Sequence, residues 1–355
     1  MGSTFSRRSF GALTGGALGA VAVGKGLGAP ALAQGLTKLR MVLNWRYQGP
    51  QSWFFIAQDK GYLREAGIEL DIDQGDGSGA AVGRVASGAY DMGFGDINAL
   101  MVLAGRKPAP DASTPIGIYM MFNRPPFTIA VKADGPIKTP RDLEGRTLGG
   151  PANDGALQLF PAFCKLAGVD ASKVSITNMA PNLREQMLQR DQVAGVFGFV
   201  NTIRFSAKLV GIDPDKQFRF INYGDHGMDL YSNCLIVSRK LAADNPGAAR
   251  GVVRAFNRGL VDTLRDHDAA VEAVARREPL INKAVEKERL VATLQDEMAH
   301  PEIATLGLGA PDPARLAKAI GIVREANGLP RAPGPAEIFN DAFLPPMAER
   351  ITKLA

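Results

Sequence analysis

Trp45 follows the apolar run Leu39-Arg40-Met41-Val42-Leu43, with Asn44 between. An indole at the end of a strand can lie flat on a planar heteroaromatic ring, and a neighbouring amide can fix that ring's orientation. Short polar residues border other apolar runs in the same way. Asp96 follows Met92-Gly93-Phe94-Gly95, Asn123 and Arg124 follow Ile116 to Phe122, and Asn201 with Thr202 follows Val193 to Val200. Asn153 and Asp154 precede a helix that opens at Gly155. Ser78 lies in Gly75-Asp76-Gly77-Ser78-Gly79, where free backbone N–H groups at a helix start can hold an anion. Arg124 could pair with a carboxylate or sulfonate. The candidate ligand-binding set is therefore Asn44, Trp45, Ser78, Asp96, Asn123, Asn153, Asp154, Asn201 and Asp225. Ordinary roles stay open for several of these positions and their neighbours: Trp45 as cover for a sheet edge, Ser78 and Asp96 as helix caps, Arg124 and His226 as hinge residues.

Nothing comparable points to covalent chemistry. The chain has no G-x-S-x-G, no His-Glu-x-x-His and no glycine loop followed by Lys-Ser/Thr. His226, His267 and His300 are far apart, and Cys164 and Cys234 form no C-x-x-C pair. No catalytic residue, metal or cofactor is expected. Both cysteines sit in apolar runs and read as buried free thiols rather than a bridge.

The elements that must position these residues alternate. Strands are expected at Leu39–Leu43, Ile68–Ile72, Asp91–Gly95, Ile116–Phe122, Phe127–Val131, Val174–Ile176, Val193–Val200 and Leu230–Val237. Helices are expected at Ser52–Arg64, Ala80–Ser87, after Asp96, near Gly155–Leu166 and at Asn182–Arg190. That order predicts an α/β fold with largely parallel sheets, whose ligands bind beyond the carboxyl ends of the strands. From Asp244-Asn245-Pro246 onward the chain turns helical, with Val252, Phe256, Leu260 and Leu264 on one face and further helices at Ala269–Arg276, Lys283–Ala299 and Asp312–Ala326.

Composition sets the class. With 46% apolar and 22% charged residues the chain reads as an ordinary globular protein. Its N-terminus carries Arg7-Arg8, a short Gly/Ala-rich apolar stretch, Lys25 and then Ala31-Leu32-Ala33. This predicts a twin-arginine export leader over residues 1–33, cleaved after Ala33, and a periplasmic location. The formal charge of +5 includes the three leader cations Arg7, Arg8 and Lys25 and no leader acid, leaving about +2 for the mature chain. Its basic residues are scattered among acids, so no nucleic-acid partner is expected.

Four segments in order resemble one family. Ala57-Gln58-Asp59-Lys60-Gly61-Tyr62-Leu63-Arg64-Glu65-Ala66-Gly67-Ile68, Ala86-Ser87-Gly88-Ala89-Tyr90-Asp91-Met92-Gly93, Pro140-Arg141-Asp142-Leu143-Glu144-Gly145-Arg146-Thr147-Leu148-Gly149 and Asn245-Pro246-Gly247-Ala248-Ala249-Arg250 are similar to signatures of bacterial solute-binding proteins. The group is that of the nitrate/taurine/sulfonate and thiamine-pyrimidine-precursor ABC importers. The resemblance implies a type II-like, two-lobed periplasmic receptor, monomeric, that serves an ABC permease and its ATPase. It implies two crossings between the lobes. Residues 34–126 and 228–355 are expected to form the first lobe and 127–227 the second. Pyrimidine-binding members carry Asp-Trp where this chain has Asn44-Trp45, which favours a planar, pyrimidine-like solute. Asn201 stands where relatives often have an acid, which leaves the ligand class open; a small anion held by helix N-termini and Arg124, or a non-transport sensor of the same fold, are the alternatives. A fungal enzyme branch depends on a cysteine-rich motif that this chain lacks, which argues for a binding protein and not an enzyme.

Overall fold

The computed structural model describes residues 35–354, so the leader and its cleavage site lie outside the described residues. Ten strands form two five-stranded sheets. The first contains β1 (Thr37–Val42), β2 (Ile68–Asp73), β3 (Met92–Asp96), β4 (Ile116–Met120) and β10 (Asn233–Val237), in the order β2-β1-β3-β10-β4. The second contains β5 (Phe127–Lys132), β6 (Thr147–Gly150), β7 (Ser175–Asn178), β8 (Gly195–Phe199) and β9 (Phe218–Asn222), in the order β7-β6-β8-β5-β9.

Both sheets are mixed, not largely parallel. β1 runs parallel to β2 and β3, and β6 parallel to β7 and β8. In each sheet one strand is antiparallel to both its neighbours: β10 between β3 and β4, and β5 between β8 and β9. Those are the strands that directly follow a passage between sheets, one through residues 121–126 and one through 223–232. Each enters its sheet from the side opposite to a strand fed by a crossover helix, so it runs backwards. Neither β6 nor β9 is among the expected strands; β9 alternates only across Phe218-Arg219-Phe220, too short a run to mark it.

Three other expectations shift. The helix expected over Ser52–Arg64 stops at Asp59 and resumes at Tyr62–Glu65, because Gly61 takes a left-handed φ of 77° between them. The helix expected over Lys283–Ala299 is α-helical only to Ala292; Thr293–Met298 is a wider π-helical turn. β10 begins at Asn233, leaving Leu230–Ser232 in the passage between sheets.

Burial follows the predicted faces. Val252, Phe256 and Leu260 of the Pro246–Arg265 helix are buried against the Ser52–Asp59 helix, which supplies Trp53 and Phe54. An aromatic series continues through Phe54, Phe94, Phe122, Phe199 and Phe127, with successive ring centroids 5.2–6.5 Å apart. It carries the apolar core from the first sheet to the second through the crossing residue Phe122. Cys164 and Cys234 are both free and buried. Among the described residues no helix is long and apolar enough to cross a membrane, and no cluster of metal-ligating side chains occurs.

Candidate functional site

The two sheets turn their strand ends toward each other, and the loops there enclose a cavity of about 20 Å3, room for a single water. Asn44, Trp45 and Ser78 line it from the first sheet's side; Asp154, Arg184, Phe199 and Thr202 line it from the second's. The walls meet closely. A Cβ on Gly77 would fall 2.2 Å from the Asn153 carbonyl oxygen, and one on Gly155 would fall 2.7 Å from Ser78 Oγ. The cleft is shut, and glycine at both positions lets it shut.

Each side of the seam carries a capped helix start, Asp154 lining the cavity and Asp96 lying outside its lining. Asp96 caps the Ile97–Gly105 helix, its Oδ1 accepting from the Asn98 backbone N–H at 3.0 Å and the Asn98 side chain at 2.7 Å. Asp154 caps the Gly155–Ala167 helix opposite, its Oδ1 accepting from the Ala156 N–H at 2.8 Å. Burial pushes the Asp96 carboxyl up to about 7, with the facing Asp154 charge adding to the shift. Burial also raises Asp154, against the pull of Arg184.

Arg184, at the start of the Arg184–Gln189 helix, is 1% exposed. Its Nε and Nη2 donate to Glu185 Oε1 at 3.0 and 2.8 Å, and its Nη1 donates to the Phe197 carbonyl at 3.2 Å. Asp154 Oδ2 lies 3.8 Å from Nη1, and the half-buried Trp45 ring has its centroid 5.9 Å from the guanidinium. Trp45 therefore faces the cavity, while the fully buried tryptophan of the core is Trp53. Ser78 Oγ is buried with no hydrogen-bond partner. This arrangement can grip a planar ring between an indole, a phenyl edge from Phe199 and a few hydroxyl, amide and carboxyl groups.

The remaining sequence candidates sit elsewhere. Asn44 lines the cavity, but its Oδ1 accepts from Gln51 Nε2 at 3.0 Å. Asn153 is exposed, presenting its backbone to Gly77. Asn201 is buried beside Thr202, with Nδ2 donating to Asp296 at 3.4 Å and Oδ1 unpartnered. Asn123 belongs to the first crossing, where its side chain donates to Glu302 at 2.7 Å and its carbonyl accepts from Arg315 at 2.7 Å. Asp225 lies exposed at the second crossing, accepting from Asn222 at 3.4 Å. Arg124 donates to the Ala299 carbonyl at 2.5 Å, a hinge contact. Sequence reading missed Arg184 and Phe199. An arginine one residue before a glutamate on a short helix gives no sign that the helix end is buried.

The two mixed sheets joined by two crossings, with a helical C-terminal part, form the two-lobed α/β fold of periplasmic binding proteins. The NMT1/THI5-like family model matches residues 51–270, well over half the chain, and the protein belongs to that family. Among curated relatives, the riboflavin-binding protein RibY of Chloroflexus aurantiacus is 23% identical over 82% of this chain and 82% of its own length. The formylaminopyrimidine-binding protein of Halalkalibacterium halodurans is 22% identical, covering 76% of this chain and 80% of that protein. The 4-amino-5-hydroxymethyl-2-methylpyrimidine phosphate synthase of Aspergillus parasiticus is 23% identical, covering 70% and 73%. Among solved structures, the alkanesulfonate-binding protein SsuA of Xanthomonas axonopodis superposes with a TM-score of 0.61 at 17% identity, covering 85% of this chain and 98% of that one. Binding proteins and a synthase thus share the family's fold.

Proposed function

We propose that this protein is an exported, non-enzymatic receptor that closes around a small planar, pyrimidine-like solute and delivers it to an ABC permease and its ATPase. In this reading the twin-arginine leader is removed after Ala33 in the periplasm, and the mature chain acts as a monomer. Residues 34–126 and 228–355 move as one lobe and 127–227 as the other. The observation that carries the reading is the half-buried Trp45 ring, set between opposing helix starts at the mouths of two sheets. A pyrimidine ring needs more space than the shut cavity offers, so it enters when the lobes part, and the Trp45 ring shifts to make room for it as they close again. Trp45 stacks on it, and Ser78, Asp96 and Asp154 supply directional contacts.

The anion alternative has less support. The single cavity cation, Arg184, is already engaged by Glu185 and Asp154. The enzyme alternative finds no cysteine at the cavity: Cys234 is buried in β10 and Cys164 in the Gly155–Ala167 helix.

Calorimetry and thermal shift of the mature protein against riboflavin, 4-amino-5-hydroxymethyl-2-methylpyrimidine, taurine and methanesulfonate test the reading. The expected result is binding of a heterocycle without turnover. Binding confined to a sulfonate, or catalytic consumption of a heterocycle, would overturn it.

A further inference from the structure

Two helix-capping aspartates face each other where the lobes meet, and they have too few cations between them. Asp96 comes from the first lobe, Asp154 from the second, and the helix start at Gly155 lies against both Ser78 and Asp96: a Cβ there would be 3.4 Å from Asp96 Oδ2. Around this point stand three carboxylates, Asp96, Asp154 and Glu185, with the guanidinium of Arg184 among them; the buried Arg289 also attracts Glu185 but is itself paired with Glu286 at 3.1 Å. Arg184 reaches Asp154 and Glu185; Asp96 has no ion-pair partner among the described residues. The other groups packed on Asp96 are neutral: the Asn98 amide, the Ser78 hydroxyl and, from β10, the Cys234 thiol, which burial and the Asp96 charge keep protonated. On the Asp154 side, the buried Tyr223 hydroxyl donates to the Ala156 carbonyl and brings no charge.

We infer that Asp96 and Asp154 are the charge-selecting pair of the cleft: closing the lobes takes up one proton between them, and the closed site rejects an anionic ligand. In an open cleft Asp96 is hydrated and ionises like an ordinary aspartate. In the closed cleft burial and the facing carboxylate raise it to about 7. The sign follows from linkage. A group that holds its proton more tightly when closed favours closure fully below its open-state value and loses that effect as pH rises through the closed-state value. The closed-to-open ratio therefore falls by up to about a thousandfold between about pH 4 and about pH 7, and levels off above. With that proton taken up, two carboxylate charges already outnumber the guanidinium of Arg184, and an anion brought into the same space adds a third. A neutral ring does not.

Only the ligand half of this inference rests on the receptor reading; the proton half concerns the protein alone. Small-angle X-ray scattering of the mature chain without ligand reads closure directly. The expected result is a compact, closed form at about pH 5 that opens by about pH 8, while Asp96→Asn, isosteric and uncharged, stays closed at both. Asp154→Asn tests the pair from the other lobe, should the first variant fold poorly. An equal radius of gyration for the wild type at both pH values overturns the inference, and so does pH-driven opening that survives in the folded variants. Calorimetry at neutral pH with riboflavin, 4-amino-5-hydroxymethyl-2-methylpyrimidine and methanesulfonate supplies the second arm. Methanesulfonate binding as tightly as a neutral heterocycle overturns the charge selection. If closure follows pH as expected and no heterocycle binds, the receptor's proposed ligand class falls while the proton-linked pair stands.

Discussion

Gly155→Ala places one methyl group at the seam of the cleft. Built on the existing backbone, that carbon lies 2.7 Å from Ser78 Oγ, 3.2 Å from Phe127 Cε1 and 3.4 Å from Asp96 Oδ2. A relaxed carbon–oxygen contact needs about 0.7 Å more than the first distance allows. Ser78 sits at the start of the opposing lobe's Ser78–Ala86 helix, and its hydroxyl is buried at the seam, so the methyl must turn that hydroxyl aside or part the lobes. The Phe127 contact lies within the second lobe and asks for only a few tenths of an ångström. Overpacking of this size costs about 1–3 kcal/mol, and here it falls almost wholly on the closed state. Ligand affinity should then weaken about 5- to 150-fold.

The fold itself should not suffer. Gly155 is not among the glycines with positive φ, and alanine favours a helix over glycine. Calorimetry on a bound heterocycle and urea unfolding of the free protein, run on the same variant, should split: weaker binding with equal or higher stability. Adding Ser78→Ala removes the clashing oxygen, which has no hydrogen-bond partner to lose, and should restore most of the affinity. Wild-type affinity in Gly155→Ala, or a loss that Ser78→Ala leaves untouched, would refute the claim that this seam closes on the ligand.

Arg184→Leu strips the directly paired guanidinium from two buried carboxylates and should destabilise by about 3–5 kcal/mol, read as a lower urea midpoint. Trp45→Ala should lose about 1–3 kcal/mol of heterocycle binding by analogy with base–aromatic stacking, with little effect on unfolding. Trp53→Ala, in the fully buried core, should cost about 3–5 kcal/mol of stability, a contrast that assigns one tryptophan to the site and the other to the fold. Burial also raises Glu297 to about 8, with Asp296 adding to the shift. Because Asp96 and Glu297 hold protons in the folded chain that the unfolded chain releases, stability should be highest below about pH 4 as far as these groups are concerned, and fall as pH rises to about 8. Glu297→Gln should flatten the upper part of that fall, and an unchanged urea midpoint across the range would refute it.

How much of this could be read from the sequence depended on periodicity. Buried strands and the amphipathic Pro246–Arg265 helix announce themselves, because one face must be apolar over several turns or residues. Asp96 was legible as a cap because a short acceptor before an apolar run has few other local uses. β9 was not legible, since the alternation of Phe218, Arg219 and Phe220 breaks at Ile221 after only three residues. Trp45 was found by its place after a strand. Arg184 was hidden because its burial comes from contacts with Phe197, Asp154 and Trp45, none of them its helical neighbours. Asn123 illustrates the opposite error: a strand-end amide looks like a ligand contact until Glu302 and Arg315, almost two hundred residues later, take up its hydrogen bonds.

Those two late residues explain why a small seam can govern the whole cleft. Arg315 donates to the Asn123 carbonyl in one crossing and to Asp229 and the Leu230 carbonyl in the other. Glu302 accepts from Asn123, Tyr231 and Arg315 together. Both crossings are thus tied to one guanidinium–carboxylate pair carried by the helical C-terminal part. A hinge pinned at one place permits rotation and resists sliding. Rotation about that pin changes distances little near Asn123 and most at contacts remote from it. The contact of Gly155 with Ser78 and Asp96, and of Gly77 with Asn153, is where the lobes touch across the cleft. Groups at the pin therefore set the path of closure, and groups at the seam set its free energy, which is why a single proton or a single methyl there is expected to act on binding while leaving both sheets intact.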